Sequence, residues 1–290
     1  MTGAPLMKCK EAIEKFQGDI QQAKLYLYEK NMATAEKKSS RETKCGMLVY
    51  SLEPSSFVAF AEIVCETDFV LKNENFLDFG EKVVKTISSF EESVQMDKAQ
   101  VEAYLRENQN DLWNENQQLI AKIQENIRIS SIFVDYLPEN SGKVFGAYMH
   151  TSYRENLGKS LTFVELSFNK EGTLLPKEQN LLNEVAEEMA VHVFCKNPEY
   201  INRLDLPEGE LENIIESIHN DLDDKFKNKP AEIIEKIING KLSKVLDQRL
   251  LMTQQLGDSE DEITVEEFLN QISSKLGFNV FVERFKTVTI

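Results

Sequence analysis

Residues 46–70 read GMLVYSLEPSSFVAFAEIVCETDFV, and the reading of the fold turns on them. GMLVYSL and FVAFAEIVC are apolar runs rich in β-branched and aromatic residues, the pattern of strands. Between them EPSS, residues 53–56, supplies the proline and serines of a tight turn. The two runs therefore predict an antiparallel hairpin. The second run stops at Cys65, and Thr67-Asp68-Phe69 then sets an acid beside a bulky aromatic at a strand-to-helix corner. Beyond it Phe76, Phe79, Val83, Ile87 and Phe90 recur at helical spacing, predicting a helix packed on the hairpin. On residue chemistry alone, Asp68 is an acid favoured at a first helical turn by the helix dipole. Phe69 is by the same reasoning ordinary core.

Upstream of the hairpin, residues 8–30 predict two short helices. Ala12, Ile13 and Phe16 share a face of the first; Gly18 suits its C-cap and Asp19 the N-cap of the next. Ile20, Ala23 and Leu27 repeat along the second. ATAEKKSSRETK, residues 33–44, is polar and reads as a linker. Downstream, residues 91–125 are charged and read as mostly helical. IRISSIFVDY, KVFGAYMH and KSLTFVELSF are candidate strands, with LPENSG, residues 137–142, turning the chain between the first two. Leu182, Val185, Ala186, Met189 and Val193 mark a helix stopped by the KNP at 196–198.

Leu211, Ile214, Ile218 and Leu222, then Ile234, Ile237, Ile238, Leu242 and Val245, predict an antiparallel helical hairpin with a coiled-coil seam. Asn228 suits a left-handed cap between them and Pro230 a first helical position. Thr264 and Glu267 form a capping box ahead of a last helix, and VFVERFKTV is a final strand. The class is α+β, with two similar halves, a helical head and a helical hairpin.

Composition narrows the function. The chain of 290 residues carries a net charge of −16, which argues against a nucleic acid as direct partner. Residues 1–44 hold nine Lys/Arg and six Asp/Glu, so a small basic head precedes an acidic body. No apolar run is long enough to span a bilayer, no signal or transit peptide is expected, and no membrane partner follows. Cys9, Cys45, Cys65 and Cys195 are irregularly spaced, which fits free thiols in a reducing compartment. NGKLSK, residues 239–244, lacks the glycine spacing of a phosphate loop. His150, His192 and His219 form no metal-type pair, so neither metal nor cofactor is expected. A nucleophilic pair such as Cys65 with His150 stays open, as does a hydrolase using Cys65 or Cys195.

Several stretches, in order, resemble the elongation factor Ts family. TGAPLMKCKEAIEKFQGDIQQAKLYL is similar to its ubiquitin-associated-like head, and VCETDFVLKNENFLDFGEKV carries its Thr-Asp-Phe-Val signature. ENIRISSI and FGAYMH resemble its central strands, MAVHVFCKNPEYI its second core helix, and KPAEIIEKIINGKLSKV the returning arm of its coiled-coil protrusion. The resemblance implies a truncated head over 1–32, a linker over 33–45 and a core subdomain over 46–137. A second subdomain over 138–207 and 247–290 is interrupted by the coiled-coil hairpin 208–246.

It also implies a guanine-nucleotide exchange factor, without covalent chemistry of its own, for elongation factor Tu in its GDP-bound and nucleotide-free states. Asp68 and Phe69 would enter the partner's Mg²⁺ site, with Thr67 and Val70 shaping the corner. Leu6, Met7, Ile123, Gln124, His150 and His192 fall at further positions of the family's partner interface. Gln124 stands where the family has glycine. The CETDFV form is similar to mitochondrial members, so a mitochondrial matrix location is expected, with a bacterial cytoplasm as the alternative. A protein-binding adaptor is the competing reading, and oligomeric state stays open. An exposed Phe69 in the free chain would favour the exchange reading over a core Phe69.

Overall fold

The hairpin sets the frame. In the computed structural model, which describes residues 6–138, 141–170, 172–220, 230–257 and 263–290, β1 (Cys45–Glu53) pairs antiparallel with β2 (Phe57–Cys65). The register runs without slip from Cys45 opposite Cys65 to Glu53 opposite Phe57. The Ser56 N–H donates to the Glu53 carbonyl at 2.9 Å and closes the turn.

The chain divides into two compact units, the first comprising Met1–Glu139, Met149–Leu161 and Val288–Ile290. Here α1 (Leu6–Lys15) and α2 (Ile20–Lys38) precede the hairpin, and α3 (Glu74–Ile87) follows it. Next come β3 (Val94–Met96), α4 (Lys98–Asn108), α5 (Asn110–Ile123) and β4 (Arg128–Tyr136). With β6 (Leu157–Gly158) the strands make a five-stranded sheet in the order β3-β4-β2-β1-β6. Phe76, Phe79, Val83 and Ile87 of α3 are buried in one core with Met47, Val49, Ala59, Ala61 and Ile63 of the hairpin. Phe90 lies beyond the end of α3 and only partly buries its ring against that core.

Expectations for this unit change at the linker and in the head. Residues 33–38 are not linker: α2 runs through them to Lys38, because Ala, Glu and Lys favour helix and Ala35 and Lys38 find burial. The polar segment 91–125 is mostly helical, as expected, in α4 and α5, and Val94–Met96 adds an edge strand along β4. Ile13 and Ile20 are exposed, and the head's small core is Ala12, Ala23 and Leu27 with Cys9, Phe16 and Tyr26 against it. The head is also tied to the unit's main core, which includes Ala35 of α2. Its junction is as read: Gly18 takes φ +92° and the Asp19 carboxylate accepts from the Gln21 and Gln22 N–H groups.

The second unit comprises Asn140–Tyr148 and Thr162–Thr287. Its three-stranded sheet has the order β5-β7-β8, from β5 (Lys143–His150), β7 (Ser160–Phe168) and β8 (Val280–Thr289). With five strands in one sheet and three in the other, the halves are less alike than expected. The helix α6 (Pro176–Lys196) buries Leu182, Val185, Ala186, Met189 and Val193 in this unit's core. That core also takes Leu269 and Ile272 of α9 (Val265–Leu276), which the Thr264–Glu267 capping box opens. Between them α7 (Glu210–Asn220) and α8 (Ala231–Arg249) pack through Ile214, Ile218, Leu242 and Leu246. Pro230 stands one residue ahead of α8, and Leu222 and Asn228 lie outside the described residues. No helix among the described residues is long and apolar enough to cross a membrane.

Candidate functional site

The corner after β2 is held from inside and open outside. Asp68–Lys72 forms a short helical turn, and Asn73 then caps α3 by accepting from the Asn75 N–H at 3.0 Å. Val70 is 4% exposed and anchors the turn in the core, while Phe69 beside it is 84% exposed. Asp68 is exposed as well. An aromatic ring left in water forgoes about 1.5–3 kcal/mol of burial. The chain therefore keeps Phe69 out at a cost while sinking its neighbour.

What fixes this geometry is the segment leaving α5. The Thr67 N–H donates to Glu125 Oε2 at 2.9 Å, and its hydroxyl donates to Oε1 at 2.6 Å. The Asn126 N–H donates to Glu66 Oε1 at 2.6 Å, and its amide donates to the Arg41 carbonyl at 2.7 Å. Lys38 at the end of α2 donates to the Gln124 carbonyl at 2.7 Å. Residues 124–126 thus join α2, the corner and β4. Glu125 and Asn126 carry no local sequence signal of this role. Their role rests on contacts across about 60 residues, and no local motif announces them.

Gln124 occupies the left-handed region at φ +68° as the C-cap of α5. A side chain there costs about 1–2 kcal/mol that glycine avoids. Part of that gain returns to the unfolded chain's greater freedom. Gln124→Gly is therefore expected to stabilise the protein by roughly 0.5–1 kcal/mol, raising the melting temperature by about 2 °C in calorimetry. Ile123 beside it is half-buried against the core.

The remaining candidates scatter. Leu6 and Met7 are exposed at the start of α1. His150 is exposed at the end of β5, where its carbonyl accepts from the Lys159 N–H. His192 is a correction: it is buried in the second unit, its Nε2 3.0 Å from Gln254 Oε1. Burial holds its pKa below the usual imidazole range. Its ring fills the core side of α6 and is not at a surface.

Cys65 does not suit a nucleophile. It is fully buried, its Sγ donates to the Thr67 carbonyl at 3.2 Å, and burial pushes the thiol up to about 12. Glu125, Cys45 and Asp68 add to that shift in this order. Only roughly one Cys65 in ten thousand is thiolate at about pH 8, against about a quarter of ordinary thiols. A disulfide reagent at that pH should label exposed Cys195 rapidly and leave Cys65 unlabelled until the protein unfolds. Equal labelling, mapped by mass spectrometry of peptides, would contradict the buried thiol. Among the described residues no cluster of His, Cys, Asp and Glu could hold a metal ion.

Fold and site together define a mixed α+β protein whose candidate site is a projecting, internally clamped surface corner. A model described as elongation factor TS matches residues 66–289. An elongation factor Ts of Protochlamydia amoebophila is 30% identical over 98% of this chain and 92% of its own length. One from Ehrlichia canis is 33% identical, over 97% and 94%. A mitochondrial elongation factor Ts of Paramecium tetraurelia is 29% identical, over 90% and 83%. The chain belongs to the elongation factor Ts family.

Proposed function

We propose that this chain binds elongation factor Tu and accelerates its release of GDP, with Phe69 and Asp68 as the residues that reach the partner's Mg²⁺ site. The observation that carries the reading is the contrast between exposed Phe69 and buried Val70 on a corner clamped by Glu125. Preorganisation of this kind lowers the ordering cost of docking a probe into a partner.

The mechanism follows from the metal. Mg²⁺ requires near-ideal octahedral coordination, so a small displacement of its ligands weakens it sharply. The ion neutralises the nucleotide phosphates, and its loss loosens GDP. Tight binding of the nucleotide-free partner is linked to weaker binding of GDP by the same factor, so exchange runs in both directions. Leu6, Met7, Ile123, Gln124 and His150 are proposed as further partner contacts. The helical head, ubiquitin-associated-like in sequence, and the α7–α8 hairpin are proposed as the family's two appendages. The chain is proposed to act in a mitochondrial matrix or a bacterial cytoplasm.

The test is release of fluorescent GDP from elongation factor Tu, with and without the full chain. Acceleration at substoichiometric protein supports exchange. Binding to elongation factor Tu without acceleration would leave an adaptor in its place.

A further inference from the structure

The turn that follows β5 is fastened to α3 by one side chain. Arg154 Nη2 lies 2.6 Å from Glu74 Oε2, and its Nη1 lies 3.0 Å from Asp78 Oδ1 and 2.7 Å from Glu81 Oε1. The spacing of the three acids, i, i+4 and i+7, puts them on one face of α3. Their side chains are exposed, whereas that of Arg154 is only 25% exposed. Isolated surface ion pairs count for little, but several carboxylates converging on one guanidinium make a network that holds its geometry. The turn needs such a hold. Thr151 sits at φ +54°, a left-handed conformation that a β-branched residue rarely takes. Both ends of the link lie at candidate partner contacts. Glu74 is the first residue of α3, directly after the Asn73 cap that ends the Phe69 corner. The turn itself begins directly after His150, exposed at the end of β5.

We propose that Arg154 is a positioning residue for partner binding: by gripping Glu74, Asp78 and Glu81 it holds His150 at a fixed place relative to the Phe69 corner. The inference rests on the exchange reading, in which His150 and the corner meet the same partner. A guanidinium presents five N–H donors in a rigid fork and can serve several carboxylates at once, which a lysine ammonium on its flexible stem does less well. A turn already held in place loses less freedom when the partner docks. Arg154 acts through His150 and makes no partner contact of its own.

The test follows release of fluorescent GDP from elongation factor Tu against the concentration of the full chain, which separates the half-saturating concentration from the maximal rate. Arg154→Ala should raise the half-saturating concentration roughly five- to tenfold and leave the maximal rate within about twofold, because the corner keeps its own clamp. His150→Ala should raise it at least as much. In a His150→Ala chain, adding Arg154→Ala should change it by less than about twofold, since nothing is left to position. Arg154→Lys should fall between Arg154→Ala and the parent. The triple variant Glu74→Ala, Asp78→Ala, Glu81→Ala cuts the same link from α3. It should reproduce the Arg154→Ala shift, and it decides the matter if Arg154→Ala does not fold. An unchanged half-saturating concentration in Arg154→Ala, or a shift that persists in full in the His150→Ala chain, overturns the proposal and leaves the exchange reading standing. A parent chain that does not accelerate release overturns both.

Discussion

Phe69→Ala should slow GDP release from elongation factor Tu by about 30-fold or more, while leaving the melting temperature of the free chain within about 1 °C. The two halves of this expectation share one cause. Phe69 is 84% exposed, so truncation removes almost no burial from the folded chain. The ring gains its burial only in the complex, where central aromatic anchors commonly carry 2 kcal/mol or more. Val70→Ala, one residue on, should behave in the opposite way. Val70 is part of the core, so its truncation should lower stability and affect exchange only through folding. Glu125→Ala separates contact from positioning. It frees the Thr67 N–H and hydroxyl, loosens the turn, and should slow exchange without removing any exposed side chain of the corner. Stopped-flow release of labelled GDP, run beside thermal melts, measures all three. A Phe69→Ala chain that exchanges like the parent would remove the corner from the mechanism.

The corner itself was legible, and its support was not. The hairpin could be read because its apolar runs and the Pro-Ser turn are local signals, and the observed register has no slip in it. The strand Val94–Met96 is too short for a period to show and takes its identity from β4. The end of α2 is polar enough to read as linker, although its residues favour helix; Lys38 is buried there because its ammonium reaches the Gln124 carbonyl. Residue chemistry alone assigned Phe69 to the core, since a bulky aromatic is usually inside. The resemblance reversed that assignment, and the burial of Val70 supplies the physical reason the ring is left outside. His192 shows the converse. A histidine matched by sequence to an interface lies in the core, where Gln254 satisfies its ring nitrogen.

Gly146→Ala should be the most damaging single methyl addition in the second unit, costing about 3 kcal/mol or more and lowering the melting temperature by roughly 6–12 °C. Gly146 lies in β5, where a Cβ would fall 2.1 Å from the carbonyl carbon of Ala186 and 2.2 Å from its oxygen. The next atom, the Glu187 nitrogen, would be 2.5 Å away. All three belong to the backbone of α6, so no rotamer change relieves the clash and the helix must lift off the strand. Lifting it would loosen Val185, Ala186 and Met189, which are buried in the core of this unit. The control is Gly240→Ala in the middle of α8, where a Cβ would meet nothing within 4 Å. There the same methyl group should stabilise by roughly 0.5–1 kcal/mol, because alanine loses less freedom in a helix than glycine does. Calorimetry of the two variants reads the sign directly. If Gly146→Ala melts like the parent, the packing of α6 on β5 is looser than these distances require.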